Sequence, residues 1–369
     1  MESVRIRTAK PKLPPASIAA LVGKARLKFT TFARRMVPPP VALIEMLSGF
    51  WISQAISVAA KFAVADHMSE DAAISSRTLA EKVGADPDAL YRVMRALSTV
   101  GVFAEDSLGN FRLTPLGATL RTDHPQSMRH FSIFQGQINW ANWGDLAHCV
   151  ATGGNAIEHL HGMKSFEYLS GDRERGDIFD KGMINVSEME LDPILAAYDF
   201  SPFKTVADIG GGYGAVLGSI LMLNPGMKGI LYDLPQTAEG ARRYLDASGL
   251  GSRVTVEGGS FFDGVPGGAD AYVMKHIIHD WSDEESILIM KNIRARIPPT
   301  GKLLLLEHVI PEPGVAHFSK FLDLEMLVAT TGRERTEEEY RALMAKAGFR
   351  LDRIVPTVGL ASVIEASPA

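Results

Sequence analysis

Two rhythms of apolar residues divide the chain near position 200. Upstream, apolar positions recur every three to four residues, as in Leu90, Val93, Met94, Leu97 and Val100, the spacing of a helix that buries one face. Downstream of Phe203, short unbroken apolar runs at 205–209, 229–232, 253–257, 271–274, 302–306, 350–355 and 361–365 alternate with longer helical segments. Unbroken runs are what strands buried on both faces require. The C-terminal part is therefore predicted to be a doubly wound α/β sheet of seven strands.

The upstream pattern has further detail. Ile18 to Met36 reads as a helix between prolines at 11, 14 and 15 and those at 38–40. Thr78 to Asp86 reads as a short helix and turn, with Pro87 early in the next helix, where its missing N–H costs nothing. Phe103–Leu113 gives two extended runs around a turn, so residues 41–122 carry a winged-helix pattern. Residues 123–200 are helical and rich in aromatics and Met.

Composition changes this picture little. The length of 369 residues suits two domains, and the single cysteine, Cys149, excludes an intramolecular disulfide and a cysteine metal cluster. No N-terminal stretch has the order of a signal peptide, so a cytoplasmic protein is expected. Residues 41–60 form the longest apolar run, but Glu45, Ser48, Ser53, Gln54 and Ser57 interrupt it. A packed or dimer-buried helix is expected there, not a membrane span.

Charge does matter. Residues 1–40 hold nine Lys or Arg and one acid, so the rest of the chain carries −13 against a total of −5. So acidic a body disfavours nucleic acid as a partner, and the second wing helix offers only Arg92 and Arg95 outward. The basic arm reads as a partly disordered tail or a partner-subunit contact, with an acidic membrane as the alternative.

The chemistry begins at Val206-Ala-Asp-Ile-Gly-Gly-Gly-Tyr-Gly214, where an apolar run ends in Asp208 and glycines at 210, 212 and 214. Asp233 follows nineteen residues after Gly214, at the end of the next apolar run. The D-x-G-x-G-x-G spacing differs from the dinucleotide fingerprint, and the first basic residue after Gly214 is Lys228. Such a loop suits a nucleoside without phosphates, and a carboxylate after the second strand can take both ribose hydroxyls. S-adenosylmethionine fits that description. A purely structural glycine turn is the alternative.

After the fourth strand come Met274, Lys275, His276, His279 and Asp280, beyond a strand's carboxyl end where ligands bind in such sheets. Ser282 and Glu285 read as a capping box, and Trp281 as packing against the floor of the site. Glu307 ends the run Leu303–Leu306, and Glu334 lies in a loop before the next helix. A histidine flanked by two carboxylates is a candidate base, held in one tautomer with its basicity raised. Singly, Glu307 reads as a strand-end ion-pair partner and Glu334 as a surface acid.

Residues 41–366 resemble the plant-type small-molecule O-methyltransferases, the family of caffeate, flavonoid and acetylserotonin methyltransferases and of bacterial antibiotic, phenazine and hydroxyneurosporene methyltransferases. Matching segments are Asp208–Gly214, Asp233-Leu-Pro235, Met274-Lys275, His279–Asp283, Glu307, Asp323–Met326, Gly332–Thr336, Gly162–Tyr168 and Phe179–Met183. The resemblance implies a class I methyltransferase domain with a Rossmann-like seven-stranded sheet behind a mostly helical dimerisation domain. Its boundaries would be a basic arm over 1–40, the winged-helix dimerisation domain over 41–122, a helical acceptor-pocket region over 123–200 and the cofactor domain over 201–369.

It implies His279 as catalytic base, oriented by Glu307 and Glu334, with no metal. Asp208, Gly210, Gly212, Gly214, Asp233, Leu234, Ser260, Phe261 and Lys275 would line the cofactor site. Phe179, Met183 and Met326 would wall the acceptor pocket, with Phe134, Asn139, Trp140 and Asp280 also contacting the acceptor. Ser260 stands where the family has an acid beside the adenine, and Phe134 where plant members have an acceptor-binding Asn, so a phenylpropanoid acceptor is not expected. The expected partners are a hydroxylated small molecule and a second copy of the chain. A hydroxylase or decarboxylase of the same fold and a winged-helix DNA-binding regulator are the alternatives.

Overall fold

The computed structural model describes residues 5–369, so the first four residues of the basic arm lie outside the description. The chain forms two compact units. One comprises the chain up to Ala25, His148–His159 and Met189–Ala369, and the other Arg26–Ala147 and Leu160–Glu188.

In the second unit, Asp86 caps the helix Pro87–Ser98 by accepting the Ala89 N–H at 2.8 Å. A small sheet of β1 (Ile74–Ser75), β2 (Phe103–Glu105) and β3 (Asn110–Leu113) runs in the order β1-β3-β2. Met94, Leu97, Phe103 and Phe111 close its core. The stretch Pro39–Lys61 is apolar and long enough to cross a membrane, but it is divided at Ser48 into helices Pro39–Leu47 and Gly49–Lys61. Leu43, Met46, Leu47, Phe50 and Trp51 on these helices stand exposed.

The first unit contains the sheet that the apolar runs predict. Its strands are β4 (Thr205–Ile209), β5 (Lys228–Asp233), β6 (Val254–Gly258), β7 (Ala271–Lys275), β8 (Lys302–Ile310), β10 (Phe349–Pro356) and β11 (Ala361–Pro368), with a two-residue β9 (Arg335–Thr336) beside β8. Their order is β10-β11-β8-β7-β4-β5-β6. The pairs from β8 to β6 are parallel and β11 is antiparallel to both its neighbours. Alternation along β8 sends Leu304 and Leu306 into one apolar layer and Leu303 and Leu305 into the other. Both faces are thus covered, which is why the runs carry no polar alternation.

Strand β8 runs past Glu307, beyond the expected 302–306. Its extension is held by pairing of His308 with Ala361 and of Val309 and Ile310 with β9. The arm also differs from a loose tail. Ile6 packs into the first core layer, and the Arg7 N–H donates to Ser219 Oγ at 2.9 Å while its Nε donates to Asp192 at 2.6 Å. The chain order reverses between β4 and β7, so the loops leaving these two strands open a crevice at the switch point.

Candidate active site

The glycine loop leaving β4 is held in left-handed backbone conformations, with φ of +70° at Gly210, +56° at Gly212 and +84° at Gly214. A Cβ on Gly210 would lie 2.6 Å from Ile277, whereas at Gly212 nothing stands within 4 Å. Asp233, at the end of β5, accepts the Gly212 N–H at 2.8 Å and the Leu234 N–H at 2.7 Å. It therefore shapes the loop as well as facing any ligand there. Burial pushes its pKa up, against those two backbone donors. Asp208 lies buried beneath the loop with its pKa pushed by burial up to about 7, and its Oδ2 has no hydrogen-bond partner among the described residues.

The loop leaving β6 brings Ser260 and Phe261 to the same end of the sheet, since Gly258 pairs with Asp233. The Ser260 hydroxyl accepts the Phe262 N–H at 3.2 Å, and Trp281 stands edge-on to Phe261 and Phe262 with centroids 5.9 and 4.8 Å away. Leu234 is exposed at the end of β5. Lys275 points its ammonium to 3.4 Å from Glu190.

Next to this crevice the chain turns sharply after β7. His276 adopts φ +52°, in the left-handed region that non-glycine residues occupy at a cost of about 1–3 kcal/mol. The turn directs the Ile277 and Ile278 N–H groups to Glu307 Oε1, at 3.0 and 2.9 Å. Glu307, fully buried, thus fixes the backbone that carries His279. Its other oxygen is 3.8 Å from His279 Nδ1, beyond a hydrogen bond. Glu334 makes the direct contact, with Oε1 3.0 Å from Nδ1. Far from being a surface acid, Glu334 is 1% exposed, and its N–H donates to Asp323 at 3.0 Å. Asp280 stands on the other side of the ring, 3.6 Å from Nε2.

Two features hold the Glu334 loop against the His279 loop. A Cβ on Gly332 would lie 2.0 Å from the His279 carbonyl oxygen, so only glycine allows this approach. Arg335, 1% exposed, donates to the carbonyls of Ile278 and Trp281, both at 3.1 Å, and to Asp283 at 2.8 Å. Ser282 and Glu285 form the expected capping box for Asp283–Arg294.

Behind the His279–Glu334 pair lies a network that the sequence reading missed. His308 Nδ1 shares Glu334 Oε1 at 3.0 Å, and His308 Nε2 meets Glu190 Oε1 at 2.9 Å. Glu190 also hydrogen-bonds His276, whose ring stacks 4.7 Å from that of His308. Burial opposes the charges of Glu334, Glu190, His279 and His308, and their mutual attraction outweighs it. Glu334 falls to about 2 through its hydrogen bonds from His279 and His308, and Glu190 lies well below the usual range beside His276 and Lys275. His279 rises to about 10 under Glu307, Asp280 and Glu334, and His308 to about 9 between Glu190 and Glu334. Burial lifts Asp280 to about 6. The donor atoms of His276, His279 and His308 lie within 4.8 Å of one another, a spacing a metal could use, but carboxylates already engage both nitrogens of His308 and Nδ1 of His279.

The expected acceptor contacts divide between the units. In the sheet unit, Met326 is buried on the helix Ser319–Ala329. In the helical unit, Phe134 meets Phe179 edge-on at 5.5 Å, and Met183 is half-buried on the same helix as Phe179, Arg173–Ala197. Asn139 is buried and donates to Gln135 at 3.0 Å, while Trp140 stands 6.0 Å from Phe50 and is 38% exposed.

This sheet, with a glycine loop and a histidine–glutamate centre at its switch point, is that of an α/β methyltransferase. Residues 143–350 match the O-methyltransferase domain and residues 44–123 the O-methyltransferase dimerisation domain. The chain is 41% identical to a phenazine O-methyltransferase of Lysobacter antibioticus over 332 residues, 90% of this chain and 97% of the relative. A crystal structure of the calicheamicin-biosynthesis methyltransferase CalO1 in its SAH-bound form superposes with a TM-score of 0.80 at 37% identity, covering 90% of this chain and 98% of that one. An aclacinomycin 10-hydroxylase of Streptomyces purpurascens is 34% identical over 315 residues, 84% of each chain. The chain belongs to the O-methyltransferase family, and it is an O-methyltransferase.

Proposed function

We propose that this enzyme is a homodimer that moves a methyl group from S-adenosylmethionine to a hydroxyl of an aromatic or polyketide-like small molecule, with His279 as general base. The observation that carries this reading is the His279–Glu334 contact of 3.0 Å beside the glycine loop. The cofactor, when bound, supplies an electrophilic methyl on a sulfonium. The chain's own residues fit it: open space at Gly212, the Asp233 carboxylate beside it, and no basic residue between Gly214 and Lys228 to call for a phosphate. Ser260 keeps its hydroxyl proton free to donate, which suits a neutral adenine nitrogen better than its amine.

Glu334 holds the Nδ1 proton of His279, so Nε2 faces the acceptor beside Asp280. His279 would take the acceptor's hydroxyl proton, and the cofactor, held by the glycine loop and Asp233, would supply the methyl group that the oxygen receives. In-line placement and this proton transfer are the main requirements of the reaction. Phe134, Phe179, Met183 and Met326 suit flat rings. The exposed Leu43, Met46, Leu47, Phe50 and Trp51, most of them inside the dimerisation match, support a second copy as their cover. A cytoplasmic location and the absence of a nucleic-acid partner belong to the same reading, on the −13 charge outside the arm.

The test is incubation with methyl-labelled S-adenosylmethionine and a panel of phenols, quinols and hydroxylated polyketides, read by mass. Gain of one labelled methyl on oxygen is expected. Gain of oxygen, or loss of carbon dioxide, would instead assign the hydroxylase or decarboxylase chemistry.

A further inference from the structure

A base with two carboxylates beside it faces a difficulty of its own. Glu334 and Glu307 stand 3.0 and 3.8 Å from Nδ1 of His279 and Asp280 3.6 Å from its Nε2, and together they favour the protonated ring, a form unable to accept a further proton. Something in the protein has to take part of that negative field away from the ring.

The geometry points to His308 as that element, a positioning residue that shares Glu334 Oε1 with His279, draws part of the carboxylate's charge to itself and so lowers the proton affinity of His279 below what its carboxylates alone would set. Both Nδ1 atoms lie 3.0 Å from the same oxygen. A positively charged donor on that oxygen offsets part of the negative field that a second donor feels. His308 is anchored for this purpose from behind, where Glu190 on the helix Arg173–Ala197 takes its Nε2 at 2.9 Å.

The surrounding charges agree. His279 is faced by Glu334, Glu307 and Asp280, with the rings of His276 and His308 at 5.1 and 6.3 Å. His308 is faced by Glu190 and Glu334, by the stacked His276 and by His317, and its carbonyl accepts from the Tyr340 hydroxyl. Lys275 pairs with Glu190. Each nitrogen of His308 faces a carboxylate oxygen, at 3.0 and 2.9 Å, so both donate and the ring is positively charged. Removing the charge on His308 leaves one uncompensated carboxylate, and His279 is the nearest group able to hold a proton against it. This inference rests on His279 being the base.

The experiment is a histidine ring titration by NMR in the free protein, which needs no acceptor, beside the pH dependence of methyl transfer to the best acceptor in the phenol panel. In His308→Gln, the His279 midpoint is expected to move up by about one pH unit, a tenfold rise in proton affinity. The acid limb of kcat/KM should move up with it. A residue that merely fills space would lower the rate without moving either. An unchanged or lowered His279 midpoint overturns the inference. If His308→Gln does not fold, Glu190→Gln decides. It keeps His308 but removes one of its two anions, so the His308 midpoint should fall by about one pH unit or more and His279 should hold its proton more tightly once His308 is neutral; a His279 titration that does not respond to the loss of charge on His308 overturns the inference. A parent His308 already neutral at pH 7 overturns the inference as well. Failure of the base assignment looks different: His279→Ala would then keep its turnover whatever the titrations show.

Discussion

The glycine loop and the histidine cluster lie at the same end of one sheet, yet they are built by different means. The loop is made of backbone, with left-handed glycines and two N–H groups tied to Asp233, nearly all within residues 208–234. The cluster is made of side chains brought from four distant places: Glu190, the turn at 276–280, Glu307 with His308, and Glu334. A backbone site tolerates loss of a side chain because most of its contacts remain. A cluster of shared protons has no such reserve, since each removal changes the charge seen by the rest.

That contrast can be broken most sharply at His279. His279→Ala should lower turnover by about a hundredfold to ten-thousandfold, the usual range for a lost general base. Binding of S-adenosylhomocysteine, followed by calorimetry, should stay at the parent value. Near-parental turnover on a weakly acidic phenol below pH 7 would remove His279 from its role. Arg335→Ala comes next. It strips donors from two buried carbonyls and from Asp283, and a stability loss of about 3 kcal/mol is expected in chemical denaturation. Arg335→Lys should not recover it, because an ammonium cannot span the same fork of acceptors. A parental denaturation midpoint in either variant would contradict this account of the loop contact.

On the loop side the effects should be smaller. Asp233→Ala should weaken S-adenosylhomocysteine binding more than tenfold, with hydrogen bonds to a charged group contributing about 1.5–3 kcal/mol each. Turnover at saturating cofactor should change little. Unchanged binding would place the nucleoside elsewhere. The smallest change should come from Ser260→Asp, which adds an anionic acceptor for the adenine amine. A few-fold tightening is expected, and a weakening would show that the native hydroxyl makes a contact the carboxylate cannot replace.

The same contrast decides what could be read from the chain. The strands were visible because burial on both faces leaves unbroken apolar runs, and the glycine loop because its parts are contiguous. Glu307 and Glu334 became visible only together with His279. Taken alone, neither has a local signal to separate a buried carboxylate from an exposed one. His308 is harder still. It directly follows Glu307 in a strand, where neighbours point to opposite faces, so its convergence on Glu334 depends on the β9 loop folding over the end of β8. Glu190 sits in a polar stretch of a long helix with no mark to distinguish it from Glu188. One clue was available in principle: an imidazole inside an apolar parallel strand must find a buried partner.

The tie between the arm and the sheet bears on the order in which the molecule is made. Arg7 finds Asp192 and Ser219 at sequence separations of 185 and 212 residues, and Ile6 packs beside Gly218. Ile6 and Arg7 therefore have nowhere to dock until some two hundred further residues have followed them, on the order of the separations of 185 and 212. Their attachment is a closing step, made after the sheet's first strand and helix exist. Protection of the Arg7 amide from hydrogen exchange during refolding would time that step, and a chain starting at the dimerisation match would never make it.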